Sequence, residues 1–435
     1  MKLLKVLVID ATHGGLTLSK EYAAAGNEVT CADVHHTVSK TAEAGLREAY
    51  RLVKAIPDLG QFDLVVRPVH FPRQKVEGAG EGAEVITHHQ AVQRLLGGRL
   101  GYPVVEMTGS FGKTSAIWAA LSMLKGERTA LALTSDGIFF LDGGELVPLS
   151  GKVSTTPANI IRAVRLAPKR PDLAIFEVSL GGTGLADLGI IKNVYDNYSI
   201  AGGSSCAFEA KLSMIDNTRQ NTSILINGDD PLLAHIKGAQ RFSVLSRAGE
   251  VTAREANTKG KIRFRAAFDG FKTLKGRTER NFEVNANPRL VGGQHVENLL
   301  VGIAIAAFFG AGEDEARVLE TAEPFGRKMV IEGAGAVKRV VNASSSIVPR
   351  SLEVAIKEYS ESFPTPVPIS IGGKLKTTCG GVDVKGISGI ISRSKEVSTV
   401  HLFGEFGEAL RPFIVGKEVV PNEGGNGMIL KVERV

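Results

Sequence analysis

The residues most able to do chemistry in this chain sit together in Val104–Ser115, VVEMTGSFGKTS. An apolar run leads into a turn of Gly109, Ser110, Phe111 and Gly112, followed by Lys113, Thr114 and Ser115. Glycines in such a turn let successive backbone N–H groups converge on phosphate oxygens, and the helix that follows points its positive end at them. Lys113 supplies a point charge for the β- and γ-phosphates, and the Thr114 hydroxyl is a ligand for Mg²⁺. The leading glycine of the usual phosphate-loop pattern is Met107 here. The bland alternative is a glycine-rich turn with an accidental Lys-Thr.

Elements of the right type surround this turn. The first hundred residues alternate short β-branched runs (KVLVIDATHGG, NEVTCADV, FDLVVRPVH) with helical patterns such as LSKEYAAAG, which indicates βαβ units and a parallel sheet. After the phosphate turn come the helical SAIWAALSMLKG, the strand LAIFEVSL, the helical FEAKLSMIDNTRQ, the strand TSILINGDDP and the apolar helix HVENLLVGIAIAAFFGAG. A further αβ pattern begins near residue 326 with VKRVVNA, SLEVAIKEY, PVPISIGG and STVHLFGE, and GGNG near the C-terminus reads as a turn. The division expected is 1–98, 99–325 and 326–435, which agrees with the roughly three domains that the length suggests.

Composition narrows the partners. With 52 Lys+Arg against 46 Asp+Glu the net charge is +6, spread along the chain with no basic block or aromatic interleaving. That favours an anionic small molecule over nucleic acid. Cys31, Cys206 and Cys379 lie far apart, without metal-ligand or disulfide-framework spacing, as expected in a reducing cytoplasm. MKLLKVLVID is too short an apolar run for a signal peptide, and no uncharged stretch reaches the ~18 residues of a membrane span. A cytoplasmic protein with no membrane partner is expected.

TG-x-x-GKT without the leading glycine resembles the Mur ligase superfamily, ATP-dependent enzymes that activate carboxylates as acyl phosphates, and further landmarks follow in family order. The resemblance implies an α/β fold of three domains: a Rossmann-like N-terminal domain, a P-loop ATPase central domain and a Rossmann-like C-terminal domain. In FEVSLGGTGLADLG, Glu177 falls where these ligases place a Mg²⁺-binding glutamate. A carboxylate beside a phosphate loop suits Mg²⁺, although a plain glutamate at a helix start is the simpler reading. In FEAKLSMIDNTRQ, Lys211 takes the position of the family's carbamylated lysine, which as a carbamate would be an anionic metal ligand and otherwise is a solvated helix lysine. The family histidine ahead of that helix is missing, with Asp196, Asn197 and Tyr198 nearby.

The same resemblance implies that His295 and Asn298 of VGGQHVENLL meet the adenine, that Arg327 of EPFGRKM reaches the phosphates, and that Asn342 of VVNASSS lies near the ribose. A Ser-rich turn is an equal reading of the last.

The substrate must be read from the first domain. Peptidoglycan-type relatives bind a uridine diphosphate group on a loop after the first strand, but here Asp10 would repel a pyrophosphate. Six of the nine histidines fall in the first 89 residues, several at strand ends. His13, His70 and His88, with Arg67, suggest a rim for a polycarboxylate, although each histidine alone is more simply a surface or core residue. VIDATHGG, RPVHFP and ITHHQAV ahead of such a centre resemble an archaeal branch of the superfamily. That branch acts on the nickel tetrapyrrole of methanogens, coenzyme F-430, using ATP to activate a propionate so that the last carbocyclic ring can close. An amide-forming relative, such as a pseudomurein peptide ligase, is the alternative. ATP and Mg²⁺ are the cofactors either reading implies.

Overall fold

The computed structural model describes residues 3–39, 49–76, 79, 82–126, 128–194, 197, 199–324, 327–334, 337–344, 347–375, 382–420 and 427–435. Asp196, Tyr198, Cys379 and the GGNG turn up to Asn426 lie outside these residues. The described residues form an α/β fold with three main sheets of five, eleven and six strands and a short two-stranded one. By compactness the chain divides into two units, one of Met1–Ile117, Leu124–Glu250 and Phe271–Arg277, the other of Trp118–Met123, Val251–Gly270 and Thr278–Val435.

In the first unit, β1 (Lys5–Ile9), β2 (Glu28–Ala32), β3 (Arg51–Val53), β4 (Leu64–Arg67) and β5 (Glu84–Thr87) form a parallel sheet ordered β3-β2-β1-β4-β5. Helices α1 (Leu16–Ala24) and α2 (His88–Leu96) pack on it. The run KVLVI is apolar throughout because both faces of β1 are covered. Val6 and Val8 join a cluster with Leu18, Tyr22 and Val92, while Leu7 and Ile9 pack with Phe62 and Val65. Helix α2 starts where the sequence allows, since Thr87 and Gln90 make a capping box. The strand order reverses at β1, so β1 and β4 diverge at their C-terminal ends and open a crevice there.

The second sheet supplies the phosphate loop. Its strands in this unit are β6 (Val104–Thr108), β7 (Ala130–Thr134), β8 (Gly137–Asp142), β9 (Glu145–Ser150), β10 (Leu173–Glu177), β11 (Leu188–Ile191), β14 (Ser223–Asn227) and β15 (Gln240–Ser243). They run in the order β15-β14-β11-β6-β10-β7-β8-β9, with β8 and β9 antiparallel and the others parallel. The short β12 (Ser199–Ile200) and β13 (Ser205–Cys206) pair separately. Helices α3 (Lys113–Met123), α4 (Ala158–Leu166) and α5 (Ala207–Asp216) follow β6, β9 and β13. β6 is central and buried along its whole length, so the loop leaving it is anchored at the middle of the sheet.

Beyond these strands, β16 (Val251–Asn257) pairs antiparallel with β17 (Arg263–Thr273), which adjoins β18 (Gly276–Asn285), and apart from Phe271–Arg277 these residues belong to the second unit. The apolar α6 (Gln294–Phe308) follows, buried on nearly every side, and then the short α7 (Glu313–Ala316). The third sheet, ordered β19-β20-β24-β21-β22-β23, contains β19 (Lys328–Ala334), β20 (Val337–Ser344), β21 (Val367–Gly373), β22 (Val397–Phe403), β23 (Glu418–Val420) and β24 (Gly427–Arg434). It packs with α8 (Pro349–Ser362), α9 (Val384–Arg393) and α10 (Gly404–Leu410) around Ile369, Ile371, Val400 and Leu430.

Candidate active site

The phosphate loop is shaped by an asparagine from the neighbouring strand end. Asn193, just past β11 and fully buried, accepts at Oδ1 from Ser110 N (2.8 Å) and Phe111 N (3.1 Å), and its Nδ2 donates to the Phe111 carbonyl. Gly109 has φ 154° and faces Asn193 and Lys192 so closely that a Cβ would press on both. Two N–H groups expected to face phosphate therefore hold the loop instead. The amides from Gly112 onward lie where the chain enters α3, a helix end that favours an anion.

Lys113, Thr114 and Glu177 come together as the sequence suggests. Glu177 ends β10, which neighbours β6, so its carboxylate reaches the start of α3. Its Oε2 accepts from Thr114 Oγ1 at 2.9 Å and from Ser135 N at 3.3 Å, while Oε1 lies 3.6 Å from Lys113 Nζ. Lys113 Nζ also donates to the Gly109 carbonyl at 2.7 Å. Glu177 is only 4% exposed, and Ser115 is buried in the first turn of α3.

Lys211 is not a solvated lysine. It is 3% exposed on the inner face of α5, and its Nζ donates to Ser110 Oγ at 3.4 Å. The GGTG stretch after Glu177 makes this approach possible. Gly181 has φ 121°, and a Cβ there would overlap Ser213 Oγ, while one on Gly182 would overlap Met214 Sδ. Thr183 in the same stretch donates its hydroxyl and its amide to Glu106, a fully buried residue of β6 whose carboxyl is pushed up to about 7 by burial. Asn197, one candidate for the missing family histidine, instead caps α5 by accepting from Phe208 N at 3.0 Å.

The first-domain residues divide. Arg67, at the end of β4, lines a pocket of about 300 Å³ with Arg73, Phe71, Ser204, Glu209 and Ala210, the last adjoining Lys211. Burial and then the nearby Arg73 push the Arg67 guanidinium below its ordinary pKa, an arrangement that an anion would relieve. His13 and His70 are partly exposed, but each turns a ring nitrogen inward to Asp10 Oδ2, at 2.6 and 3.1 Å. His88 corrects the expected rim. It is 1% exposed, its Nε2 donates to the Ile9 carbonyl at 2.9 Å, and burial pushes its pKa down to about 4, so it braces the end of β1 from inside the core. His89, equally buried, donates from Nε2 to the Ser179 carbonyl at 2.8 Å, tying α2 to the loop after Glu177.

The remaining candidates belong to the second unit. Arg327 makes a bidentate pair with Glu332 (2.7 and 2.9 Å) and a third contact with Glu433 (3.0 Å), so its guanidinium is engaged locally. His295 and Asn298 are buried in the first turns of α6, and His295 Nε2 donates to the Met329 carbonyl at 3.3 Å. Asn342 lies in β20, half-buried, opposite Lys328 of β19. The sequence pointed to neither Asn193 nor Glu106. The signal for Asn193 was available as a polar residue at the end of the apolar strand LGIIKN.

The fold of the chain is the one found in ATP-dependent ligases of the Mur and folylpolyglutamate synthase type. Among solved structures, the chain superposes on a pseudomurein peptide ligase type C from Methanothermus fervidus with TM-score 0.54 and 13% identity, covering 99% of this chain and 97% of that one. It superposes on Mycobacterium tuberculosis folylpolyglutamate synthase, solved with ADP and AMPPCP, with TM-score 0.56 and 15% identity over 80% and 91% of the two chains. In sequence, the chain is similar to the coenzyme F(430) synthetase of Methanosarcina acetivorans, 36% identical over 248 residues, which are 54% of this chain and about half (52%) of that relative. It is also similar to the coenzyme F(430) synthetase of Methanocaldococcus jannaschii, 26% identical over 431 residues, or 94% and 93% of the two chains. No family model matches the sequence. Among the described residues, no helix is long and apolar enough to cross a membrane.

Proposed function

We propose that this protein uses ATP to activate a carboxylate of a nickel tetrapyrrole as an acyl phosphate and closes the final carbocyclic ring of coenzyme F-430 from its seco-acid precursor, in the cytoplasm. The observation that carries the ligase chemistry is Glu177 clasped by Thr114 beside Lys113, with Lys211 buried against the same loop. The substrate reading is supported by the sequence likeness to two coenzyme F(430) synthetases, over 94% of the chain for one and 54% for the other.

In this reading a substrate carboxylate oxygen bonds to the γ-phosphorus as the bond to the ADP oxygen breaks. An enol-type carbon then attacks the acyl carbon, loses its proton and expels phosphate. Most of the catalysis is positioning and charge stabilisation. Lys113 contributes a fixed positive charge. Arg67 and Arg73 hold carboxylates of the substrate, with the exposed edges of His13 and His70 nearby. The Thr114 hydroxyl and the Glu177 carboxylate are hard oxygen donors already within 2.9 Å of each other, which fits Mg²⁺ and would let it neutralise phosphate charge when bound. Carbamylation would make Lys211 a third anionic ligand and remove the cost of a buried ammonium. The family resemblance assigns His295, Asn298 and Asn342 to the nucleotide and Arg327 to its phosphates, for which Arg327 must exchange Glu332 and Glu433 for phosphate oxygens.

The test is incubation with ATP, Mg²⁺ and the seco-acid tetrapyrrole, following ADP release and the macrocycle's absorption together. ADP release that requires the tetrapyrrole supports the proposal. ADP release with an amino acid instead would point to an amide-forming ligase. Absence of substrate carboxylate ¹⁸O from the released phosphate would exclude the acyl phosphate.

A further inference from the structure

The crevice of the first sheet contains a second constellation that phosphoryl transfer does not use. Asp10 follows β1, His13 lies in the turn before α1, His35 follows β2 and His70 follows β4. Three separate segments thus bring these side chains to the point where the strand order reverses, the place in an open parallel sheet where ligands bind. All four donor atoms lie within 4.8 Å of one another. Asp10 Oδ2 is 2.6 Å from His13 Nδ1, 3.1 Å from His70 Nε2 and 3.6 Å from His35 Nε2.

We propose that Asp10, His13, His35 and His70 form a mononuclear site for a divalent transition metal of the imidazole-preferring class, such as zinc, cobalt or nickel. A tetrahedral ion with bonds of about 2.0–2.1 Å spaces its donors by about 3.3 Å, close to the separations observed. Three imidazoles and one carboxylate select these ions over Mg²⁺ or Ca²⁺, which take oxygen ligands.

The carboxylate is oriented for the task. Asp10 is fully buried, and its Oδ1 accepts from the amides of Thr12 (2.9 Å) and His13 (3.2 Å), which aims Oδ2 at the three rings. Its backbone takes φ 72°, uncommon for a non-glycine residue. The rings meet edge to face, His13 with His70 at 77° and with His35 at 85°, so nitrogens converge where stacked faces would not. Two imidazole nitrogens lie within hydrogen-bond distance of the same carboxylate oxygen and the third faces it at 3.6 Å. A cation between them would engage all four donors at once. The side chains of His13, His35 and His70 are 41%, 49% and 31% exposed, so the site opens to solvent on one side, from which an ion can enter.

This proposal does not depend on the ligase reading. The test uses the full-length protein, freed of metal by a chelator and titrated with Co²⁺ as a spectroscopic probe. One equivalent with the visible bands of a four- or five-coordinate site, displaced by Zn²⁺ and showing imidazole scattering in X-ray absorption, is expected. The His35→Ala/His70→Ala variant should lose that equivalent while its circular dichroism and unfolding midpoint stay as in the wild type. If that variant does not fold, His35→Gln, at a half-exposed ring, should weaken Co²⁺ at least tenfold. Wild-type protein that binds no more Co²⁺ than the variants, or binds it with an octahedral all-oxygen spectrum, would overturn the proposal.

Discussion

The hydroxyl of Thr114 donates to Glu177 Oε2 across 2.9 Å, joining the first turn of α3 to the end of β10. The two residues are 63 positions apart and meet because β10 lies beside β6 in register, Glu177 opposite Met107. The contact sets two hard oxygen donors next to the Lys113 ammonium, and it leads to the first expectation.

Glu177→Gln keeps the shape of the site and removes its charge, and Lys113→Ala removes the fixed cation. Each should lower substrate-dependent ADP release by about 100-fold or more, the scale of losing one preorganised charge in a phosphoryl-transfer site. A coupled ADP assay reads this, with circular dichroism confirming the fold. Rates within about tenfold of wild type would remove both residues from the chemistry.

Lys211→Ala should abolish turnover, and a short carboxylic acid should restore part of it by supplying the missing anion. Bicarbonate should raise the activity of bicarbonate-depleted wild type and leave the variant unchanged. Full turnover by the variant would show that the buried lysine is structural.

Asn193→Ala removes the brace of the phosphate loop and leaves the Ser110 and Phe111 amides without their acceptor side chain. Loss of such buried partners costs about 1–3 kcal/mol. ADP affinity measured by calorimetry should therefore fall by about tenfold or more, while binding of the tetrapyrrole alone is unchanged. Unaltered ADP affinity would mean that the loop holds its shape without Asn193.

His88 and His89 are buried neutral, each with its pKa pushed down to about 4, by burial above all. In the unfolded chain they take up protons near pH 6.5. The unfolded state therefore binds more protons between about pH 4 and 6.5, and stability falls as the pH is lowered through that window. The loss approaches on the order of 3 kcal/mol for each ring at the acid end. Chemical denaturation from pH 7 to pH 4.5 should show the decline, and His89→Gln should flatten it. A slope unchanged in the variant would mean that His89 is not the proton sink.

Arg67→Ala and Arg73→Ala should each raise KM for a polycarboxylate substrate and leave KM for ATP as it is, because both line the pocket beside Ala210. A rise confined to the KM for ATP would place the arginines at the nucleotide instead.

Much of the site could be read along the chain because the phosphate loop is local. Gly109 to Thr114 are contiguous, the strand before and the helix after are periodic, and Glu177 ends an apolar run long enough to be a strand. Lys211 and Arg67 were legible as types at strand and helix positions, but their surroundings were not. Burial turned Lys211 from an ordinary helix lysine into a neighbour of Ser110, and close packing at Gly181 and Gly182 was what brought its helix in.

The histidines mark the limit. ATHGG, VHH, PVH and THH are equally plausible as surface residues in sequence. The order β3-β2-β1-β4-β5 sorts them, sending His88 and His89 inward with α2 and gathering His13, His35 and His70 around Asp10. By itself, the sequence determined the α/β alternation and the phosphate loop, because periodicity and glycine spacing act over a few residues. Which distant side chains share a carboxylate or a pocket was decided only by the tertiary structure, because strand order and register set those distances and neither is written in any one segment.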